Sequence, residues 1–259
     1  MNLANYFKSD EQPMEHLLSE GGFCGIFRTI GCIGDSLSSG EFENIREDGS
    51  RGYNDMFEYS WGQYIARTIG SKVYNFSRGG MTALEYVETF AEANGFWDKD
   101  KACQAYIIAL GVNDILNAGR EIGTIEGISE NYNENAATFI GHYASIIQRI
   151  KKEIQPNAKF FLMTMLRNNQ SEHDALVEAH AKALYKIADK FNNCYVMDFS
   201  KFGPTDDGIF REKFYLYGHL TPAGYVLTAK MVMTYMDYII RHNIHDFDMT
   251  GFIGKEHLL

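Results

Sequence analysis

Proline is scarce in this chain, four in 259 residues, and the sequence holds neither an internal repeat nor a low-complexity tract. With no obvious linker to divide it, residues 1–259 read as one domain. The four cysteines, Cys24, Cys32, Cys103 and Cys194, never fall in C-x-x-C spacing, which argues against a zinc ribbon or a disulfide framework. Cys32 and Cys194 sit in apolar runs, as buried free thiols of a reducing compartment do. No uncharged apolar stretch approaches the roughly 18 to 20 residues that span a bilayer, and the N-terminus lacks the basic-then-apolar pattern of a secretory signal. A cytoplasmic protein without a membrane span is therefore expected. Lys and Arg are nowhere concentrated and the net charge is −10, so nucleic acid is not an expected partner. Neither G-x-G-x-x-G nor a Walker pattern occurs at the predicted strand ends, which sets aside a nucleotide-binding domain.

What is present is a large apolar fraction, 45% hydrophobic and 14% aromatic, enough for a substantial core. Runs at 29–33, 72–76, 105–110, 159–164 and 194–197 are apolar on both faces, as strands covered by helices on each side are. Between them, Ala136, Ile140, Tyr143, Ile147, Ile150 and Ile154 recur at intervals of four and three, a single helical stripe. A second helix is predicted with Ser171 as N-cap and Leu176, Ala183, Ile187 and Phe191 inward. His180 on that stripe reads as a hydrogen-bonded core residue. A third opens at Thr221-Pro222 and buries Tyr225, Ala229, Val232, Met236 and Ile239 or Ile240. This alternation predicts an α/β fold, a three-layer α/β/α sandwich on a mainly five-stranded parallel sheet, with ligands collecting at the carboxyl ends of the strands. Residues 38–57 read as a long irregular loop whose tip covers a pocket.

Four polar patches lie at or beside the ends of these runs: Gly34-Asp35-Ser36, Asn75 to Gly80, Gly111-Val112-Asn113-Asp114 and Gly218-His219-Leu220-Thr221. A serine hydroxyl becomes a nucleophile only as a base takes its proton, and a histidine titrating near neutrality can do so. Ser36 and His219 fit those roles. The negative oxygen of a tetrahedral intermediate needs preorganised donors, commonly worth about 10²- to 10³-fold each. The backbone N–H groups of Ser36 and Gly80 and the Asn113 amide would supply three. Asp35 is expected to hold the turn rather than join the chemistry. Each residue also has a plain alternative as helix start, turn, cap or surface loop. Their coincidence at strand ends is what argues for catalysis.

In these four blocks, IGDSLSSGE, NFSRGGMT, GVND and YLYGHLTPAGY, the chain resembles the SGNH, or GDSL-type, hydrolases. The resemblance implies a flavodoxin-like SGNH fold and a serine-dependent ester hydrolase (acylhydrolase) with no cofactor and no metal. It implies Ser36 as nucleophile, His219 as general base, and Ser36, Gly80 and Asn113 as oxyanion hole. Its substrates would be small-molecule carboxylic esters, an O-acetylated carbohydrate or another short acyl ester among them; the oligomeric state stays open. One departure stands out. The family's aspartate, three residues before the histidine, is Leu216 here. Either a backbone carbonyl near Leu216 accepts the Nδ1–H, which is the favoured reading, or Asp198, Asp206, Asp207 or Glu212 swings in, or activity is weak or lost. The last outcome would leave a non-catalytic ligand-binding protein.

Tyr53, Arg78 and Arg167 are candidate substrate contacts, with Asn168 and Asn169 near them; Tyr59 and Trp61 begin a predicted helix at 59–69. His242, His245, Asp246 and Asp248 cluster near the C-terminus, and are read as a solvated polar tail rather than a metal site.

Overall fold

The computed structural model describes residues 10–247. Five parallel strands form the central sheet: β1 (Thr29–Gly34), β4 (Lys72–Ser77), β5 (Ala105–Ala109), β6 (Lys159–Met163) and β7 (Cys194–Met197), in the order β4-β1-β5-β6-β7. Because side chains alternate along a strand, each strand feeds both faces. Ile33, Phe76, Tyr106, Ile108, Phe160 and Leu162 pack on one side, under helices Phe139–Arg149 and Ser171–Lys190. Ile30, Cys32, Val73, Ile107, Phe161 and Met197 pack on the other, under helices Trp61–Ile69 and Pro222–His242. The predicted three-layer sandwich is the observed architecture. All four cysteines are buried and free, and no helix among the described residues is long and apolar enough to cross a membrane.

Several local expectations shift. Helix Ser171–Lys190 begins at Ser171 itself, with Gln170 in the cap position, and its inward stripe runs Val177, His180, Leu184, Ile187. Leu176 is 40% exposed, because the stripe's phase lies one residue later than expected. His180 is fully buried and its Nε2 lies 3.1 Å from the Leu110 carbonyl, the core role expected of it. Ala136 lies outside the helix it was assigned to, which starts at Phe139 behind the cap Thr138 and ends in a wider turn closed by Gln155 N–H to Ile150 O at 2.8 Å. The helix predicted over 59–69 starts at Trp61, where Ser60 caps it. Thr221 and Pro222 open the last long helix as predicted.

The main correction concerns 38–57. Most of it is an antiparallel hairpin, β2 (Glu41–Ile45) and β3 (Arg51–Asp55), rather than an irregular loop. Asp48-Gly49 makes its turn: Gly49 has φ +81°, Asp48 Oδ1 accepts from Ser50 N–H at 2.9 Å, and Arg46 N–H bonds Ser50 O. The hairpin is tied down at its base. Phe42 packs on Tyr225 with ring centroids 5.1 Å apart, Tyr225 OH donates to Glu41 O at 2.8 Å, and Ser39 Oγ donates to Asp55 Oδ1 at 2.6 Å. A second, two-residue pair joins β8 (Tyr215–Leu216) to β9 (His219–Leu220) through Tyr217, at φ +58°, and Gly218.

Candidate active site

At the carboxyl end of β1 the chain turns at Asp35 and starts the short helix Ser36–Ser39. Asp35 caps it, Oδ1 accepting from Leu37 N–H at 3.1 Å, as expected for a turn-holding residue. Burial pushes the Asp35 carboxyl up to about 6, although the Leu37 N–H and the nearby His219 act against that rise. Ser36 is therefore presented at a helix N-terminus, beside the point where the strand order reverses around β1, which is where such sheets bind ligands.

The next two patches close on this turn. Arg78 N–H reaches Gly34 O at 3.4 Å after β4, and Gly80 takes φ +72°, a conformation a side chain would strain, with open space where a Cβ would stand. After β5, Asn113 Nδ2 lies 3.1 Å from Met81 O and 3.4 Å from Asp35 Oδ2, while its Oδ1 accepts from Asn117 at 2.8 Å. The Asn113 amide hydrogens thus already face protein acceptors. Asp114 is buried and ties the patch down by accepting from Ala83 N–H at 3.0 Å. Among the described residues, neither the backbone N–H of Ser36 nor that of Gly80 has a hydrogen-bond partner, and none reaches Ser36 Oγ.

His219 comes from the fourth patch on β9, which packs against the Ser36 helix. No carbonyl near Leu216 holds its ring. Nδ1 lies 2.6 Å from Oε1 of Glu43, and the same oxygen accepts Gly218 N–H at 2.8 Å. Arg51 Nη1 stands 3.4 Å from the other oxygen. Burial alone would raise the Glu43 carboxyl, which is 5% exposed, but the bonds from His219 and Gly218 and the charges of His219 and Arg51 outweigh it and hold it below the usual range. Glu43 is then an acceptor only, so Nδ1 carries the hydrogen. Gly218 is needed at its position, since a Cβ there would stand 2.8 Å from Glu43 Oε1.

The contact follows from strand periodicity. Glu41 and Glu43 lie two apart on β2 and share the face turned to His219; across the hairpin Glu43 pairs with Tyr53. Glu41 Oε1 lies 3.0 Å from Nε2 of the same ring, so the imidazole is held between two carboxylates. None of the carboxylates anticipated from sequence is the one bonded to the His219 ring. Asp198 accepts from Tyr185, Ser200 and Lys201 N–H, Asp206 pairs with Arg211 at 2.8 Å, and Asp207 caps the helix Gly208–Phe214, in which Glu212 lies. Glu43 was missed because 176 positions separate it from its partner.

Tyr53 is 54% exposed and meets the His219 ring edge-on, with centroids 5.9 Å apart. Arg78 turns its guanidinium to Glu85 at 2.6 Å, and Arg167 lies 4.0 Å from Glu178, outside the cavity lining. That cavity, about 350 Å³, is lined by Asp35, Leu37 and Gly218, by apolar residues such as Leu116 and Met165, and by the polar His173, Asp206 and Arg211; Ser36 and His219 adjoin lining residues but are not themselves in the lining. Away from the site, His242 Nδ1 lies 2.8 Å from Tyr238 O and Asp246 accepts from Tyr195 OH at 2.8 Å, while Asp248 lies outside the described residues. No group of three or more potential metal ligands converges among the described residues.

The strand order, and the polar patches at or near the carboxyl ends of its strands, bear comparison with known proteins. A carbohydrate esterase family 2 enzyme with a carbohydrate-binding domain, from Corynascus thermopiles (Myceliophthora fergusii), superposes with a TM-score of 0.57 at 15% identity, covering 83% of this chain. This chain spans 66% of that one, just under two thirds. The acetylxylan esterase Axe2 from Geobacillus stearothermophilus superposes at 0.50 with 16% identity, over 81% of this chain and 94% of that one. The acetyl xylan esterase AlAXEase does so at 0.50 with 19% identity, over 79% and 97%. These likenesses are of fold. No curated protein sequence matches the chain. The sequence profile of the GDSL-like Lipase/Acylhydrolase family, however, matches residues 32–227, the segment that carries all four patches. By that match the chain belongs to the GDSL-like lipase/acylhydrolase family.

Proposed function

We propose that the chain hydrolyses a carboxylic ester through an acyl-enzyme on Ser36, with His219 as general base and Glu43 in place of the acid missing at 216. The observation that carries this is the 2.6 Å contact between His219 Nδ1 and the buried Glu43 carboxylate. It fixes the tautomer with the hydrogen on Nδ1, so that Nε2, once the Glu41 carboxylate has moved off it, can take the Ser36 proton, and it stabilises the imidazolium that forms. Ser36 Oγ then bonds the acyl carbon and the carbonyl oxygen becomes an oxyanion. The unpaired N–H groups of Ser36 and Gly80 are its nearest donors, and Asn113 joins them by releasing Met81 O or Asp35. The oxyanion then re-forms the carbonyl, the acyl carbon–oxygen bond to the alcohol breaks, and His219 passes its proton to the leaving oxygen. Water then repeats the cycle on the acyl-enzyme, and Ser36 is regenerated.

The substrate class is an O-acetylated carbohydrate or another short acyl ester. The exposed Tyr53 ring beside His219 supports a sugar-like alcohol side, and the family 2 esterase and the acetylxylan esterases share the fold. The cavity beside Leu37 leaves room for an acyl group larger than acetyl. The ground for a binding-only protein is the acid absent at 216, and the Glu43 contact supports the catalytic reading over it. Treatment with a fluorophosphonate followed by peptide mapping tests the reading. One adduct on Ser36, absent from Ser36→Ala, is expected; an unmodified wild-type protein would contradict it.

A further inference from the structure

The second carboxylate on His219 has no part in the chemistry just described. Glu41 Oε1 lies 3.0 Å from Nε2, the nitrogen that must take the serine proton. Its other oxygen rests against Gly79, where a Cβ would stand only 2.2 Å away. Glu41 therefore bridges from the base to the glycine turn before Gly80. During acylation the leaving oxygen must come to Nε2, so Glu41 occupies the alcohol side of the reacting centre, and substrate must displace it.

A displaced Glu41 cannot be left without a donor. It is mostly buried, and burial raises its carboxyl, with His219 opposing and Asp55 and Glu43 adding to the rise. Asp55, its partner across the hairpin, is engaged by Ser39, and the nearby Arg51 is committed to Glu43. With no neighbouring side chain among the described residues to replace His219 as donor, one carried by the alcohol would stabilise the displaced carboxylate. A quaternary ammonium would suit the charge but prefers an aromatic cage. Tyr53 offers a single ring here, and the ring of Tyr217 is already covered by the Arg51 guanidinium at 4.7 Å. A hydroxyl next to the ester oxygen needs no cage.

We propose that Glu41 accepts a hydrogen bond from a hydroxyl adjacent to the scissile oxygen, making the alcohol side selective for esters of polyols over esters of simple alcohols. The inference rests on the Ser36–His219 reading for turnover, but the contact itself does not require turnover. A charge-assisted hydrogen bond corresponds to a preference of roughly 10- to 100-fold.

The test uses glyceryl monoacetate, ethyl acetate and acetylcholine with wild type, Glu41→Ala and the size-matched Glu41→Gln, with thermal melts as the folding control. Wild type is expected to favour the monoacetate over ethyl acetate in kcat/KM by about 10- to 100-fold. In both variants the monoacetate should slow and ethyl acetate should speed up, because Nε2 is freed. In the Ser36→Ala background, calorimetric binding of glyceryl monoacetate should weaken when Glu41 is also replaced. Turnover with a preference that ignores Glu41 overturns the inference and leaves the hydrolase reading standing. No turnover, with binding that still depends on Glu41, does the reverse. A Glu41-dependent preference for acetylcholine, or an equal change on all three esters, also overturns it.

Discussion

Replacing Glu43 by glutamine keeps its volume and one acceptor oxygen while removing the charge. In the structure Oε1 serves both His219 Nδ1 at 2.6 Å and Gly218 N–H at 2.8 Å, so the amide oxygen can stay there and hold the ring. The new NH₂ then faces Arg51, whose side chain is about half exposed and, with the carboxylate that held it gone, can turn to solvent. Ring position should survive; stabilisation of the imidazolium should not. Loss of the corresponding charge in serine hydrolases costs about 10⁴ in turnover. A retained acceptor softens this, and we expect kcat of Glu43→Gln to fall about 10²- to 10⁴-fold, roughly 3 to 5 kcal/mol at the transition state. KM should move less than about threefold, since Glu43 meets no substrate in this account. The assay is steady-state hydrolysis of an activated acetate ester, with circular dichroism and a thermal melt confirming the fold. A folded variant whose kcat stays within about threefold of wild type would refute the reasoning, because His219 would then need no carboxylate.

Two buried groups should make opposing contributions to stability between about pH 4 and 6.5. His180 is buried and its pKa is lowered to about 4, chiefly by burial, so below its unfolded value the unfolded chain binds more protons and stability rises with pH across that window. Asp35 is raised to about 6, so the native state binds the extra proton and stability falls with pH between about 4 and 6. Each shift is worth about 3 kcal/mol and the two oppose each other. Denaturant titrations should therefore show a slope of stability against pH that is more negative than wild type in His180→Gln and more positive in Asp35→Asn; parallel profiles in both would be inconsistent with this. Gly80→Ala has room for its methyl group but must hold φ +72°, so it should lose about 1 kcal/mol of stability and at least tenfold in kcat. Unchanged kcat there would remove Gly80 from the oxyanion site.

The sheet was legible because its strands are apolar on both faces, a pattern only a doubly covered strand produces; Tyr106, Ile107 and Ile108 go alternately to the two layers. The Thr221-Pro222 start was legible because a cap and its proline are adjacent in sequence. The hairpin was not, since EFENI and RGYND carry charge where a core strand carries valine or isoleucine. Glu41 and Glu43 are turned toward an imidazole rather than toward a core, so hydrophobic periodicity had nothing to register. Asp48-Gly49, a hairpin turn pair between two short alternating segments, was the available signal. The Leu176 stripe failed for a different reason: Leu176 and Val177 are neighbours, and apolarity alone did not say which one faces inward.

The most direct measurement is proton NMR of the imidazole with ¹⁵N-labelled histidine. A short bond from Nδ1–H to a buried carboxylate should give a strongly downfield proton resonance, split by its nitrogen, in wild type. It should be lost or moved far upfield in Glu43→Gln and remain in Ser36→Ala. If that resonance were absent from the folded wild-type protein, or unchanged in Glu43→Gln, Glu43 would not be the group that orients His219.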